Sequence, residues 1–217
     1  MKNIGKLKQH WQQLTEKYCF NPIVIDDVYD EICKQYSESH RHYHTLDHLE
    51  QLFSLFTERS GKMDNPDIVA FAIWFHDFIY NPRREDNEEQ SALKAGVFLR
   101  EIGLEDYVIR RIQKLILWTG NHFQLIDKDD RDTAFFLDLD LSILGSENIR
   151  YRHYMEQVRD EYVFIPFREY RKGRIKLLKR YLFVKSIFKT AYFQRRFEQQ
   201  ARSNIQYEIA FLESHHE

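Results

Sequence analysis

"NPDIVAFAIWFHDFIYNP", residues 65–82, decides how the chain is read. Asn65-Pro66 has the form of a helix start, a capping residue followed by proline at the first helical position. The run from Ile68 to Phe75 is apolar on every side, too even for a surface helix. It is also far short of the roughly 20 residues that span a bilayer. It reads as a core helix, and His76 and Asp77 stand side by side within it. A lone imidazole in such a place is held neutral, and a lone carboxylate is costly unless paired. Both costs fall if a divalent cation lies between them, because neutral imidazole and carboxylate are its ordinary ligands.

Outward from that helix, a period near 3.6 dominates the sequence. Upstream, helices are expected over residues 5–19 and over "PIVIDDVYDEICKQYS". A third carries Leu46, Leu49, Leu52, Phe53 and Phe56 on one face and ends before "RSGKMDNPD". Downstream, "NPRREDNEEQ" at 81–90 breaks the core helix, and "SALKAGVFLREIG" forms the next, stopped at Gly103. "EDYVIRRIQKLILWTGNH" and "TAFFLDLDLSILG" follow, then a short segment near 147–164 and two long helices after Pro166. With 7 Gly and 4 Pro in 217 residues, there is little material for the tight turns of an all-β chain. The expectation is one all-α domain over residues 1–217, a multi-helix bundle. Its basic helical portion, from about 150 to 217, packs on the same core, in a monomer or homodimer.

Charge and cysteine usage narrow the class. The net charge of −2 conceals an acidic stretch (Asp127, Asp129, Asp130, Asp132, Asp138, Asp140 and Glu147) and a basic final third with "RYRHY", "FREYRKGRIKLLKRY" and "FQRRF". A nucleic-acid partner is not favoured, since backbone binding accompanies a strongly basic domain; a solvated helix face explains the bases. Cys19 and Cys33 form no framework, which points to a reducing compartment. The N-terminus "MKNIGKLKQHWQQL" lacks the apolar region of a signal peptide. A soluble, cytoplasmic protein without membrane association is expected. His215 and His216 read as a tail.

Two ligands hold a cation weakly, so more must converge on it. "RHYHTLDHLEQL", residues 41–52, offers His48, with His44 one expected helical turn before it on the same face. Downstream, "FFLDLDLSILG" embeds Asp138 and Asp140 in an apolar run. Residues two apart on a helix diverge by about 200°, so only one of the pair faces a given site. The mixture of nitrogen and carboxylate oxygen suits Mn, Co, Ni, Fe, Mg or Zn better than it suits a structural cysteine-type zinc centre. One tightly bound ion is expected, with room for a second.

His48, then the pair at 76 and 77, then an aspartate in "DLDLS", resembles the ordered H…HD…D signature of the HD-domain superfamily of metal-dependent phosphohydrolases. "YHTLDH" at 43–48 is similar to the YHNxxH segment of cyclic nucleotide phosphodiesterases, and "DLS" at 140–142 to their metal-binding Asp-Leu-Ser. "RHYHTLDHL", "FHDFIYNP", "DNEEQSA" and "ARSNIQYE" resemble a bacterial family of predicted HD-superfamily phosphohydrolases over nearly the whole chain. The resemblance implies an HD-type helical domain with His48, His76, Asp77 and Asp140 as metal ligands, selecting Asp140 over Asp138. It also implies His44 as general acid. The chain departs from the phosphodiesterases in its shorter length, in lacking a recognisable purine clamp, and in offering only His122 between the His-Asp pair and the final aspartate.

The implied reaction is hydrolysis of a phosphate ester of a small metabolite, a nucleotide first of all, by metal-activated water. Catalytic roles fall to His44, Asp77 and Glu88, the last orienting water or a substrate hydroxyl from "DNEEQSA". Substrate contacts are expected from Arg83, Arg84, Asn87, Ser91, His122 and Tyr43, with Arg174 a further phosphate contact. The same cluster around Asp86 and Asn87 also reads as a helix cap. Two other functions fit the ligands: a di-iron HD-type oxygenase, and a non-catalytic metal-stabilised module that binds nucleic acid or a partner through the basic C-terminal helices. The motifs of cytidine-type deaminases and of serine hydrolases are missing.

Overall fold

Pro66 does open a helix, and it is the most deeply buried element of its half of the chain: every residue from Val69 to Phe75 is inaccessible to solvent. The structure, a computed structural model, describes residues 4–124 and 130–214. Asp127, Lys128 and Asp129 of the acidic stretch, and the terminal His215 and His216, lie outside the described residues. Among the described residues there are ten α-helices and no strand: α1 (Ile4–Thr15), α2 (Pro22–Gln35), α3 (Leu46–Arg59), α4 (Pro66–Phe75), α5 (Asn87–Glu101), α6 (Asp106–Trp118), α7 (Arg131–Asp140), α8 (Asn148–Glu161), α9 (Phe167–Phe183) and α10 (Ala191–Ser214). Short 3-10 turns follow α3 and α7. The all-α expectation holds, and no described helix is long and apolar enough to cross a membrane. The chain divides within α7 into two compact units, Met1–Phe136 and Leu137–Glu217.

In the first unit α4 is walled by α3, α5 and α6. Trp11 of α1 meets Trp74 edge-on at 5.3 Å and stacks on Phe98 at 5.2 Å. Its indole N–H donates to the Ile25 carbonyl at 2.8 Å, so this large apolar group leaves no polar atom stranded. Removing any one of these buried aromatic rings would cost about 3–5 kcal/mol.

The entry to α4 is secured from a distance. Asn65 occupies the capping position, but its side chain makes no cap bond to the helix. The buried carboxylate of Asp132 accepts instead, from Asp64 N at 3.0 Å, Asn65 N at 2.8 Å and Asn65 Nδ2 at 3.2 Å. The exit differs from expectation too. The helix stops at Phe75, with His76 as its C-cap and Asp77 in the turn beyond. At the end of α5, Gly103 takes φ +84°, which lets Leu104 N reach back to Leu99 O at 3.0 Å.

In the second unit the apolar run around Asp138 and Asp140 is not one continuous helix: α7 ends at Asp140 and the backbone tightens into a 3-10 turn over Leu141–Gly145. That turn packs on α10 so closely that a Cβ on Gly145 would lie 2.5 Å from Phe197 Cβ. The segment expected near 147–164 is a full helix, α8. Between α8, α9 and α10 the buried Glu208 receives Tyr151 Oη at 2.6 Å and Arg174 Nε at 2.7 Å.

A candidate metal centre

His48 lies in the first turn of α3 and His76 is the C-cap of α4, and both are almost wholly buried. Asp77 follows at once, its carboxylate part-exposed. His48 Nε2 and His76 Nε2 are 3.2 Å apart, His76 Nε2 and Asp77 Oδ2 3.0 Å, and His48 Nε2 and Asp77 Oδ2 3.9 Å. Among the described residues these three form the group of donors close enough to share one ion.

The spacing of the two imidazole nitrogens is one that a shared cation accepts. With metal–nitrogen bonds of about 2.1 Å, two imidazole nitrogens stand about 3.0 Å apart at a right angle and about 3.4 Å apart at the tetrahedral angle. The proton arrangement agrees. His76 Nδ1 is 2.9 Å from the carbonyl of Ile73, which can only accept, so that nitrogen carries the proton. In the neutral ring, Nε2 then presents its lone pair toward a carboxylate oxygen and a second imidazole. His76 Nε2 and Asp77 Oδ2 are then electron-pair donors 3.0 Å apart, and a cation or a proton at that point makes the arrangement favourable. The backbone acceptor behind Nδ1 is the usual outer support of a metal-binding histidine.

His44 does not lie on α3, as the four-residue spacing suggested. It sits in the bend over residues 42–45 that precedes the helix, because Thr45 is extended. The imidazole nevertheless comes to the site, with its centroid 5.9 Å from that of His48. It stacks on Tyr80 at 4.1 Å and meets the edge of Tyr43 at 4.9 Å. Tyr43, expected at the substrate, is buried, and its ring packs against both His44 and His48.

The segment after Asp77 is held by the residues expected to touch substrate. Ser91 Oγ accepts from Ile79 N at 3.0 Å and donates to Ile79 O at 3.2 Å. Asn87 brackets Asn81, accepting from its N and donating to its O, both at 3.0 Å. Arg84 is engaged by Asp86 through two bonds of 2.7 and 2.6 Å, and that partner keeps the Asp86 carboxyl below its ordinary range. Arg83 is exposed on the same turn, its N–H donating to Asn81 Oδ1 at 2.9 Å. Glu88, half-buried in the first turn of α5, sets its carboxyl group against Gly120. Gly120 leads into the turn that carries the half-buried His122.

Asp138 and Asp140 belong to the second unit and have different surroundings there. Asp138 is fully buried and accepts from Lys189 N, Thr190 N and Thr190 Oγ, all at 2.7 Å, fixing the start of α10. Burial pushes its carboxyl up to about 6 against the pull of those donors. Asp140, half-buried at the end of α7, adds its charge to the burial that raises the phenols of Tyr154 and Tyr181. Arg174, expected to meet phosphate, is buried and paired with Glu208.

Sequence reading missed Arg41, whose side chain is fully enclosed beside the site. Its only signal was position, three residues before His44 in the His-rich stretch. The chain matches no protein-family model, no curated protein and no solved structure.

Proposed function

We propose that the chain is a metal-dependent phosphohydrolase that cleaves a phosphate ester of a small metabolite, with a nucleotide as the first candidate. The observation that carries this reading is the convergence of His48 Nε2, His76 Nε2 and Asp77 Oδ2 within 3.9 Å of one another, on a buried floor. Two imidazoles and a carboxylate are a catalytic rather than a structural ligand set, since they leave coordination positions open.

A divalent cation bound there would supply a water of lowered pKa and a clamp on a phosphoryl oxygen. His48, His76 and Asp77 would hold it. His76 keeps its lone pair aimed at the ion because Nδ1 is committed to Ile73 O. His44 would hold a proton for the departing oxygen, a task suited to an imidazole near neutral pH. Tyr80 and Tyr43 fix the plane of that ring. Glu88 would orient the attacking water or a substrate hydroxyl, and Arg83 would meet the phosphate. Ser91 and Asn87 act by fixing the backbone over 79–81.

The test is elemental analysis of the purified protein and its Asp77→Ala and His44→Ala variants. Phosphate release is then screened on the same samples over nucleotides and sugar phosphates with Mn, Co, Ni, Mg and Zn restored. Asp77→Ala should lose bound metal and phosphate release together. His44→Ala should keep the metal and slow release by about 100-fold or more. Metal and activity both retained in Asp77→Ala would end this reading.

A further inference from the structure

Two chain segments that are remote in sequence must be held at a fixed separation for His48 to lie 3.2 Å from His76. The first is the bend 41–45 that feeds α3, and the second is the turn that ends α4. One side chain touches both. Arg41 Nη1 donates to Asp77 O at 2.7 Å and to His44 O at 3.3 Å, and its Nη2 donates to Phe78 O at 2.9 Å. Its Nε donates to Glu38 Oε2 at 3.2 Å, and its guanidinium carbon lies 5.0 Å from the Tyr36 ring centroid and 5.5 Å from that of Tyr80. The side chain is fully buried.

We infer that Arg41 is a positioning residue that presets the metal site by tying the His44 carbonyl to the Asp77 carbonyl. This inference rests on the reading of His48, His76 and Asp77 as metal ligands. The carbonyls of Asp77 and Phe78 lie in the turn just past the C-cap of α4, where a cation is favoured by the helix dipole. A buried guanidinium with acceptors on two segments is satisfied only while those segments keep their spacing. The spacing is therefore set by hydrogen bonds of the chain itself. Lysine cannot replace it: an ammonium is a point donor on a flexible stem, without the planar fork that reaches several acceptors at once.

The test uses Co(II) as the metal probe, read by competition affinity and by its visible absorption bands, which report coordination geometry. The parent, Arg41→Lys, Arg41→Ala, His48→Ala and Gly103→Ala are compared, with folding checked by far-UV circular dichroism. Gly103→Ala strains a turn outside the site and is the destabilised control; it should keep the parent's affinity and spectrum. Folded Arg41 variants should bind Co(II) about 10–100-fold more weakly, with shifted bands, as outer supports of metal sites do when removed. Parent-like affinity and bands in either folded Arg41 variant would overturn the inference while leaving the site standing. Failure of both variants to fold would overturn it too, since the residue would then serve the fold and not the spacing. A parent that binds no Co(II), indistinguishable from His48→Ala, would instead remove the metal reading beneath it.

Discussion

Asp138 and Asp140 show how two identical side chains, two residues apart, come to different surroundings. Asp138 is enclosed and saturated by three donors from Lys189 and Thr190. Its carboxylate is a structural cap, and Asp138→Ala strands those donors in the interior. The expected cost is about 2–4 kcal/mol of stability, read from urea denaturation, with metal content per folded chain unchanged. Asp140→Ala, at a half-buried position, should change stability by under about 1 kcal/mol in the same measurement. Equal losses of stability in the two variants would show that the two positions are not so different. The alternation was visible in the sequence as a helical fact, but the resemblance alone chose between the two, because the partners of Asp138 lie some 50 residues downstream.

At the scale of the element, α4 was readable because its signals are local: proline at its first position and an unbroken apolar run. The same locality explains the misreadings. His44 was assigned to α3 from its spacing, yet Thr45 is extended and the helix begins at Leu46. Asn65 holds the capping position of α4 as expected, but the backbone that leads into it is braced by Asp132, 67 residues away, which the sequence did not signal. Arg41 escaped for a similar reason, since its partners are main-chain carbonyls, which carry no sequence signature. The capping geometry has a measurable consequence. Asp132→Ala leaves the N–H groups of Asp64 and Asn65 without their acceptor and should destabilise the fold by about 1–2 kcal/mol. Asp132→Asn, which keeps one acceptor oxygen, should recover part of that loss in the same denaturation measurement. Equal losses in the two variants would mean that the carboxylate acts through its charge and not as a cap.

For the whole molecule, three arginines of the basic final third are engaged internally, while most of its bases stay exposed. Arg174 pairs with Glu208, Arg159 donates to the carbonyls of Tyr162 and Ile165, and Arg202 bonds Glu198 together with the carbonyls of Leu182 and Val184. Those three guanidiniums tie helices and helix ends within their unit, while the exposed bases around them form solvated helix faces. Function then turns on whether the folded chain captures a cation. An ion that binds the folded state and not the unfolded one stabilises by an amount set by its concentration over its dissociation constant, about 2.7 kcal/mol at a hundredfold excess. For a chain of 217 residues that corresponds to a rise in Tm of about 5–10 °C. Mn or Co added to metal-stripped protein should therefore raise the melting temperature, and a chelator should reverse the rise. Asp77→Ala should melt at one temperature with or without the ion, because its remaining pair of imidazoles holds a cation too weakly. A rise of the same size in Asp77→Ala would place the bound ion elsewhere on the chain, and the buried meeting of His48, His76 and Asp77 would then be held by a proton.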